Sequence, residues 1–373
     1  MNSVTKTTKL GLGSFNFIKG VAIASIIIGH IAVEFDTLQL TWFFPLFAVL
    51  SLMKTTLVPL FFVISGYGLV AGRIRTTLKK TFKSLLFPYF FVMAAFCVAL
   101  PALDLIRTQD VPQAIGIGLS VFLAFLLGVP IPGKVLFGIT LSHCAIVWFL
   151  LAMFWAHNLT HLILRRKKTA EQILLILGCA ALGYVLFLLD FTYFCLPHGL
   201  IAASYFYIGY LLKKYRLLEK KLPHKWLYAV WFTASGAYAC FGHFDLCYGD
   251  FRFFPMDYLG VMLLTLLILV AGIHIGTLEW RCLDFLHYIG ACSYWVLCIH
   301  SVEQKCLPWG YFIRLTQDYP NLGFLAALLI KAIIISVFCA VMKRAKKRKY
   351  RKQKIYYEQK LLHAEFDRSV PRR

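Results

Sequence analysis

His30 lies inside an apolar run from Phe17 to Val33, where an ionisable side chain is costly unless it faces protein or water. Glu34 follows one helical turn later and Lys19 precedes it by three turns, so the three residues share one stripe of a helix. An imidazole titrates near neutral pH, and a carboxylate one turn away could orient it. This spacing is typical of a general base, although a core histidine bonded to a neighbouring helix would fit the same segment.

A second histidine in an apolar run repeats the arrangement near the other end of the chain. His300 is followed by Glu303 one turn later on the same helical face. The histidine could serve as a partner base or orient an acceptor, and a structural hydrogen bond is the alternative interpretation. His157 and His161 have the i, i+4 spacing of a metal pair, but no third ligand accompanies them in the sequence, so no metal site is predicted.

The elements that must position these residues are membrane helices. Of the 373 residues, 60% are hydrophobic and 15% are charged, whereas soluble domains carry about 25% charged residues. Repeated apolar stretches of roughly 20 residues predict transmembrane helices. We therefore expect an all-α, polytopic bundle of about ten helices in a lipid bilayer, formed by residues 1–342 and followed by a basic cytoplasmic tail, residues 343–373.

The distribution of basic residues predicts the orientation of this bundle. A net charge of +22 spread over a soluble surface would suggest a nucleic-acid partner, but here the tail alone carries 13 of the 39 Lys and Arg. The others cluster between apolar runs, as the positive-inside rule requires, so both termini are predicted to be cytoplasmic and no nucleic-acid partner is expected. Residues 112–140 are apolar but contain three prolines. They are predicted to form a re-entrant or interfacial segment on the outer side, and the sequence leaves the role of this segment open.

Four short segments occur in a characteristic order along the chain. They are Phe15 to Gly20 leading to Gly29-His30, Val58 to Tyr67 leading to Phe87-Pro88-Tyr89, Val147 to Leu150, and Tyr288 to Gly290 leading to Ile299-His300. In this order and spacing the chain resembles the acyltransferase 3 family of integral-membrane O-acyltransferases, and most of all its fucose O-acetylase-like branch. The resemblance runs from about Phe15 to about Lys343, which is nearly the whole chain.

The resemblance implies a reaction. Members are expected to move an acetyl or similar acyl group from cytoplasmic acyl-CoA to a hydroxyl of a cell-surface or lipid-linked carbohydrate. It implies a catalytic role for His30, and His300 matches the histidine of the penultimate helix. Lys19 stands where many members carry arginine, so it becomes a candidate for binding the cofactor. A multi-pass protein of a bacterial-type inner (cytoplasmic) membrane, working beside enzymes of glycan synthesis, is the expected setting.

Five basic residues follow the second apolar segment closely. They are Arg73, Arg75, Lys79, Lys80 and Lys83. Such a cluster suits the phosphates of coenzyme A, and it resembles an arginine-rich patch of the family, with acetyl-CoA as the expected donor. Simple anchoring of the cytoplasmic loop by positive charge is the alternative.

A transporter or a flippase of a lipid-linked saccharide is the rival class. Ionisable residues within apolar runs, such as Lys19, His30, Glu303 and Lys331, could line a substrate or proton path. Many transporters are built from internal repeats, and the sequence shows none. The absence of a repeat and the juxtamembrane basic cluster therefore favour the enzyme.

Overall fold

The structure is a computed structural model that describes residues 12–42, 44–45, 49, 57–70, 72–219, 224–276, 278, 280–342 and 344. The predicted basic tail thus lies outside the described residues except for Arg344. The described chain is almost entirely helical, as expected. Its elements are α1 (Leu12–Thr37), α2 (Val58–Tyr67), α3 (Ile74–Thr81), a π-helical turn (Phe82–Leu86), α4 (Phe87–Thr108), α5 (Val111–Leu127), β1 (Val135–Leu136), β2 (Ile139–Thr140), α6 (Trp148–Ile163), α7 (Thr169–Leu188), α8 (Leu196–Lys214), α9 (Lys225–Phe241), β3 (Phe244–Asp245), β4 (Asp250–Phe251), α10 (Phe254–Ile275), α11 (Arg281–Ala291), α12 (Ser293–Cys306), α13 (Trp309–Arg314) and α14 (Pro320–Met342).

Seven helices among the described residues are long and apolar enough to cross a membrane, and an eighth crossing results if α11 and α12 form one broken span. The chain is therefore a polytopic membrane protein, but the predicted number of ten is not confirmed. The difference arises because apolar composition does not fix helix length. Two apolar stretches predicted as spans, about residues 55–72 and about residues 226–242, hold shorter helices: α2 has ten residues and α9 has 17.

Residues 112–140 form a helix and a short ribbon. Asp110 caps α5 by accepting a hydrogen bond of 3.0 Å from the backbone N–H of Gln113, and Gly128 ends the helix in the left-handed conformation. β1 and β2 then pair antiparallel. At 17 residues α5 is shorter than the helices that meet the length of a crossing. The interfacial placement of this segment stays a prediction.

Two helix pairs cross with their backbones in contact, and one of these pairs carries His30. A Cβ atom on Gly290 of α11 would collide with the carbonyl oxygen of Asn16 in α1, and a Cβ on Gly20 would collide with that of Leu286. α2 and α8 approach in the same way at Gly66. Small residues at a crossing allow such close approach between membrane helices.

α11 and α12 are not collinear: their axes are bent by 84° at the break between them. This bend brings α12 beside α1, where a distinct apolar cluster joins α1, α12, α13 and α14. Its buried members include Ile27, Ile31, Val296 and Phe324. His30 lies on α1, and His300 and Glu303 lie on α12, so three of the ionisable residues singled out from the sequence are on helices of this cluster.

Candidate active site

His30 and His300 meet across the interface of α1 and α12. Their ring centroids are 5.4 Å apart, and the ring planes are inclined at 55°. His300 is buried, and the side chain of His30 is partly exposed. The two histidines that the sequence singled out, 270 residues apart, therefore belong to one site.

His300 is oriented by a carboxylate of its own helix. Its Nδ1 atom lies 2.5 Å from Oε1 of Glu303, and both side chains are 2% exposed. A carboxylate can only accept in such a bond, so Nδ1 carries a proton, and in the neutral imidazole Nε2 carries the lone pair. Nε2 is buried and has no hydrogen-bond partner among the described residues. The imidazole is thus held in the tautomer that leaves Nε2 free to take a proton.

The ammonium of Lys331, on α14, completes this group. Its Nζ donates to Oε1 and Oε2 of Glu303 at 2.8 and 2.7 Å, and to Oε1 of Gln304 at 2.8 Å. It also lies 3.9 Å from the centroid of the Trp309 ring. Lys331 is only 1% exposed. A buried charge is tolerated when a partner and further hydrogen bonds compensate its lost hydration, and this ammonium has both.

Glu34 is linked to the same group through Gln304. The Nε2 atom of Gln304 donates 2.9 Å to Oε1 of Glu34, while the other end of the amide accepts from Lys331. Glu34 therefore lies at the end of a polar chain that runs from α1 through α12 to α14. The sequence pairs Glu303 with His300, and this contact is present in the structure. The orienting role of Glu34 toward His30 stays a prediction.

A further cation lies one residue beyond Gln304. Nζ of Lys305 is 3.3 Å from Nδ1 of His143, in the segment before α6. Burial, and then the charge of Lys305, lowers the pKa of His143 to about 4. His143 is therefore neutral near pH 7, and its Nδ1 accepts the hydrogen bond.

The five clustered basic residues predicted to bind the cofactor lie in a different part of the chain from His30 and His300. Arg73, Arg75, Lys79, Lys80 and Lys83 occupy α3 and its margins, and all are exposed. Lys19 is half-buried on α1 and makes no hydrogen bond or ion pair with another described residue.

Two side chains of α6 fasten α3 and the residue Gly72 before it. One of them is His161, which the sequence pairs with His157 by spacing without predicting a metal site. The ring Nε2 of His161 lies 2.8 Å from the carbonyl oxygen of Gly72, and Asn158 Nδ2 donates 3.2 Å to Oγ1 of Thr81. His161 therefore supports the basic segment. No group of three metal-ligating side chains occurs in the part of the chain that the structure describes.

Sequence reasoning missed the contacts made by Gln304, Trp309 and Lys331. Lys331 gave a signal, because a lysine in the middle of an apolar helix needs a partner. Gln304 and Trp309 gave none, because their contacts depend on how α12, α13 and α14 pack together.

A bundle of membrane helices with a pair of neighbouring imidazoles, one of which is buried and oriented by a carboxylate, defines an integral-membrane protein equipped for proton transfer. The family model for the acyltransferase domain of the acyltransferase 3 family matches residues 12–341. The chain therefore belongs to this family and is an acyltransferase. No curated protein and no solved structure matched the chain. The specific likeness to the fucose O-acetylase-like branch stays a prediction.

Proposed function

We propose that this acyltransferase transfers an acetyl or similar acyl group from cytoplasmic acyl-CoA to a hydroxyl of a cell-surface or lipid-linked carbohydrate. The observation that carries the proposal is the free, buried Nε2 of His300 beside the ring of His30. Membership of the family supports the acyl chemistry. The donor and the acceptor are inferred from the resemblance and from the placement of charge.

In the proposed reaction His300 is the general base. Its Nε2 takes the proton of the acceptor hydroxyl as the oxygen attacks the thioester carbonyl carbon, and Glu303 stabilises the imidazolium that forms. The new C–O bond replaces the C–S bond, and the proton passes from His300 to the departing thiolate. The ester and free coenzyme A are the products. The expectation from sequence gave these roles to His30 and Glu34, and the hydrogen bonds favour His300 and Glu303.

His30 contributes the second imidazole of the site. Its ring centroid lies 5.4 Å from that of His300. We assign it a hydrogen bond to the thioester carbonyl oxygen, where negative charge develops during attack. In a covalent route, the ring of His30 would carry the acyl group as an acyl-histidine.

The donor would enter from the side of the basic cluster. The exposed cations of α3 suit the phosphates of acetyl-CoA, and the half-buried Lys19 is available for a further negative group. On a straight helix Lys19 and His30 are separated by about 16 Å along the axis, at about 1.5 Å per residue. This separation suits a donor whose phosphates stay at one membrane face while its thioester reaches into the bundle.

The acceptor would enter from the opposite side, past Glu34, Gln304 and Lys305 at the ends of α1 and α12. With basic loops inside, that side is the outer face of a bacterial-type inner membrane. A carbohydrate chain assembled there, and the enzymes that assemble it, are the partners we infer.

The proposal is tested with purified protein in nanodiscs, supplied with acetyl-CoA labelled in the acetyl group and with crude envelope glycans. We expect coenzyme A release, measured by mass spectrometry because the chain has 11 native cysteines, and label recovered as a base-labile ester on glycan. In a parallel assay with the protein in sealed lipid vesicles, glycan movement across the membrane without acetyl-CoA cleavage would favour the transporter instead.

A further inference from the structure

Lys331 is the most deeply buried cation in the described part of the chain. Its ammonium contacts Glu303, Gln304 and the face of the Trp309 ring. An ammonium transferred from water to such a place loses much of its hydration, which its partners must offset. An apolar residue would fill the position in a membrane helix at no such cost. The position of the charge therefore calls for a chemical reason.

The contacts indicate what the charge does to Glu303. Oε1 receives hydrogen bonds from both His300 and Lys331, and Oε2 receives one from Lys331. The Nε1 of Trp309 donates 3.0 Å to the backbone carbonyl of the same glutamate. Glu303 is thereby kept ionised and in one orientation, and it has no freedom to turn away from the imidazole.

The same charge acts on His300 through Glu303. Without Lys331 the imidazole would face an uncompensated carboxylate, which would favour its protonated form. With Lys331 the pair has no net charge, so the imidazole stays neutral and available as a base at lower pH. Two effects of Lys331, on orientation and on charge, thus converge on one nitrogen.

We propose that Lys331 is a positioning residue of the acyl transfer: by holding Glu303 it fixes the tautomer of His300 and sets the pH range in which His300 is a base. The inference rests on the proposed function. In this inference Lys331 acts on the reaction only through Glu303.

The pH effect assigned to Lys331 has to be weighed against all the charged or titratable groups near His300. They are His30 and Glu34 on α1, Glu303 and Lys305 on α12, Lys331 on α14, and His143 before α6, which contacts Lys305. Of these, Glu303 alone is in direct contact with both His300 and Lys331. Substitutions at this pair therefore change the charge next to the imidazole most directly.

The test compares Lys331→Met and Glu303→Gln, which change the local charge in opposite directions, with Lys331→Arg, which preserves it. The acid limb of kcat/KM for acetyl-CoA cleavage is measured in each purified variant. We expect it to move about one pH unit upward in Lys331→Met and downward in Glu303→Gln, as a unit charge at this distance allows. Lys331→Arg should keep the limb of the wild type.

An acid limb that stays in place while activity falls equally at every pH would make Lys331 merely structural and overturn the proposal. So would a shift in the wrong direction in either variant. If neither Lys331→Met nor Glu303→Gln elutes as a monodisperse protein, the pair serves the fold alone, and the proposal is overturned as well.

A second measurement separates this inference from the proposed function. The titration midpoint of His300 is followed by NMR of protein labelled with ring-¹⁵N histidine, the signal being assigned with His300→Asn. If the midpoint shifts when Lys331 is substituted but the wild type cleaves no acetyl-CoA, the proposed function is wrong and the electrostatic role of Lys331 is supported. If the wild type is active but the midpoint is the same in the Lys331 variants, only the role of Lys331 is contradicted.

Discussion

Glu34 and Gln304 join α1 to α12 through a hydrogen bond of 2.9 Å between the carboxylate and the side-chain amide. The amide is shared, because its oxygen accepts from Lys331. One glutamine therefore connects the helix of His30 with the group that orients His300. We therefore expect the geometry of the imidazole pair to depend on this link.

Replacing Gln304 with leucine should lower both activity and stability. The change removes two hydrogen bonds to charged groups, each contributing roughly 1.5–3 kcal/mol. We expect a lower apparent Tm and at least about a tenfold loss of kcat/KM. Gln113→Leu is the matched control, because it breaks a 3.0 Å bond to Asp104 on an exposed surface away from the site. Equal effects of the two substitutions would contradict a specific role for Gln304.

Gly290→Ala should disrupt the crossing of α1 and α11. The added methyl group would collide with the backbone oxygen of Asn16, which cannot move without the helix. Overpacking of this kind costs about 1–3 kcal/mol or more, so we expect a marked fall in apparent Tm and loss of activity. A Cβ at Gly178 on α7 meets no atom within 4 Å, so Gly178→Ala should leave both unchanged. If Gly290→Ala leaves the apparent Tm and the activity unchanged, α1 and α11 do not cross this closely.

Removing charge from α3 should weaken binding of the donor. For Lys79→Gln combined with Lys80→Gln we expect KM for acetyl-CoA to rise about tenfold, with kcat little changed, because about 1.4 kcal/mol of phosphate binding is lost. Added salt should reduce the difference in KM between this variant and the wild type. Arg166→Gln with Lys167→Gln removes two exposed charges from another basic loop. If both pairs raise KM equally, the cluster on α3 is not a specific phosphate site.

Acidification should destabilise the protein through His143. Its pKa is lowered to about 4 in the fold, first by burial and then by Lys305, whereas an unfolded histidine titrates near 6.5. The unfolded state thus binds the extra proton first, and stability is lost as pH falls from about 6.5 to 4. The contribution is on the order of 1–3 kcal/mol.

The check is the apparent Tm of the wild type and of His143→Asn between pH 7.5 and 4.5. Asparagine retains an acceptor for Lys305 but does not titrate, so its Tm should fall less on acidification. Parallel curves for the two proteins would show that His143 does not carry this part of the pH dependence.

The sequence predicted the helical class and both histidines, because apolar runs and residue spacing are local features. His300 and Glu303 share a helical face by their spacing alone, and the structure brings them into contact. The partner of Glu34 could not be found in this way. It depends on the 84° bend before α12, which no local pattern in the sequence indicated.

The number of helices and the role of Lys331 could not be read from the sequence for a related reason. Hydropathy shows that a segment avoids water, but α2 ends at Tyr67 after ten residues although its surroundings are apolar. Lys331 was visible as an ionisable residue in an apolar helix. Its contact with Glu303, 28 residues earlier, exists only once α14 packs against α12.

The central claim is that His300, oriented by Glu303, takes the proton of the acceptor. It is tested most directly by coenzyme A release from acetyl-CoA in nanodiscs by wild type, His300→Asn and His198→Gln. Asparagine can keep the donor to Glu303 but has no basic nitrogen, and His198 is an equally buried histidine whose Nε2 contacts the carbonyl of Cys247. We expect loss of at least about a hundredfold in His300→Asn, the scale of general-base catalysis, and near-normal turnover in His198→Gln. A folded His300→Asn protein that still releases coenzyme A at the wild-type rate would contradict the claim.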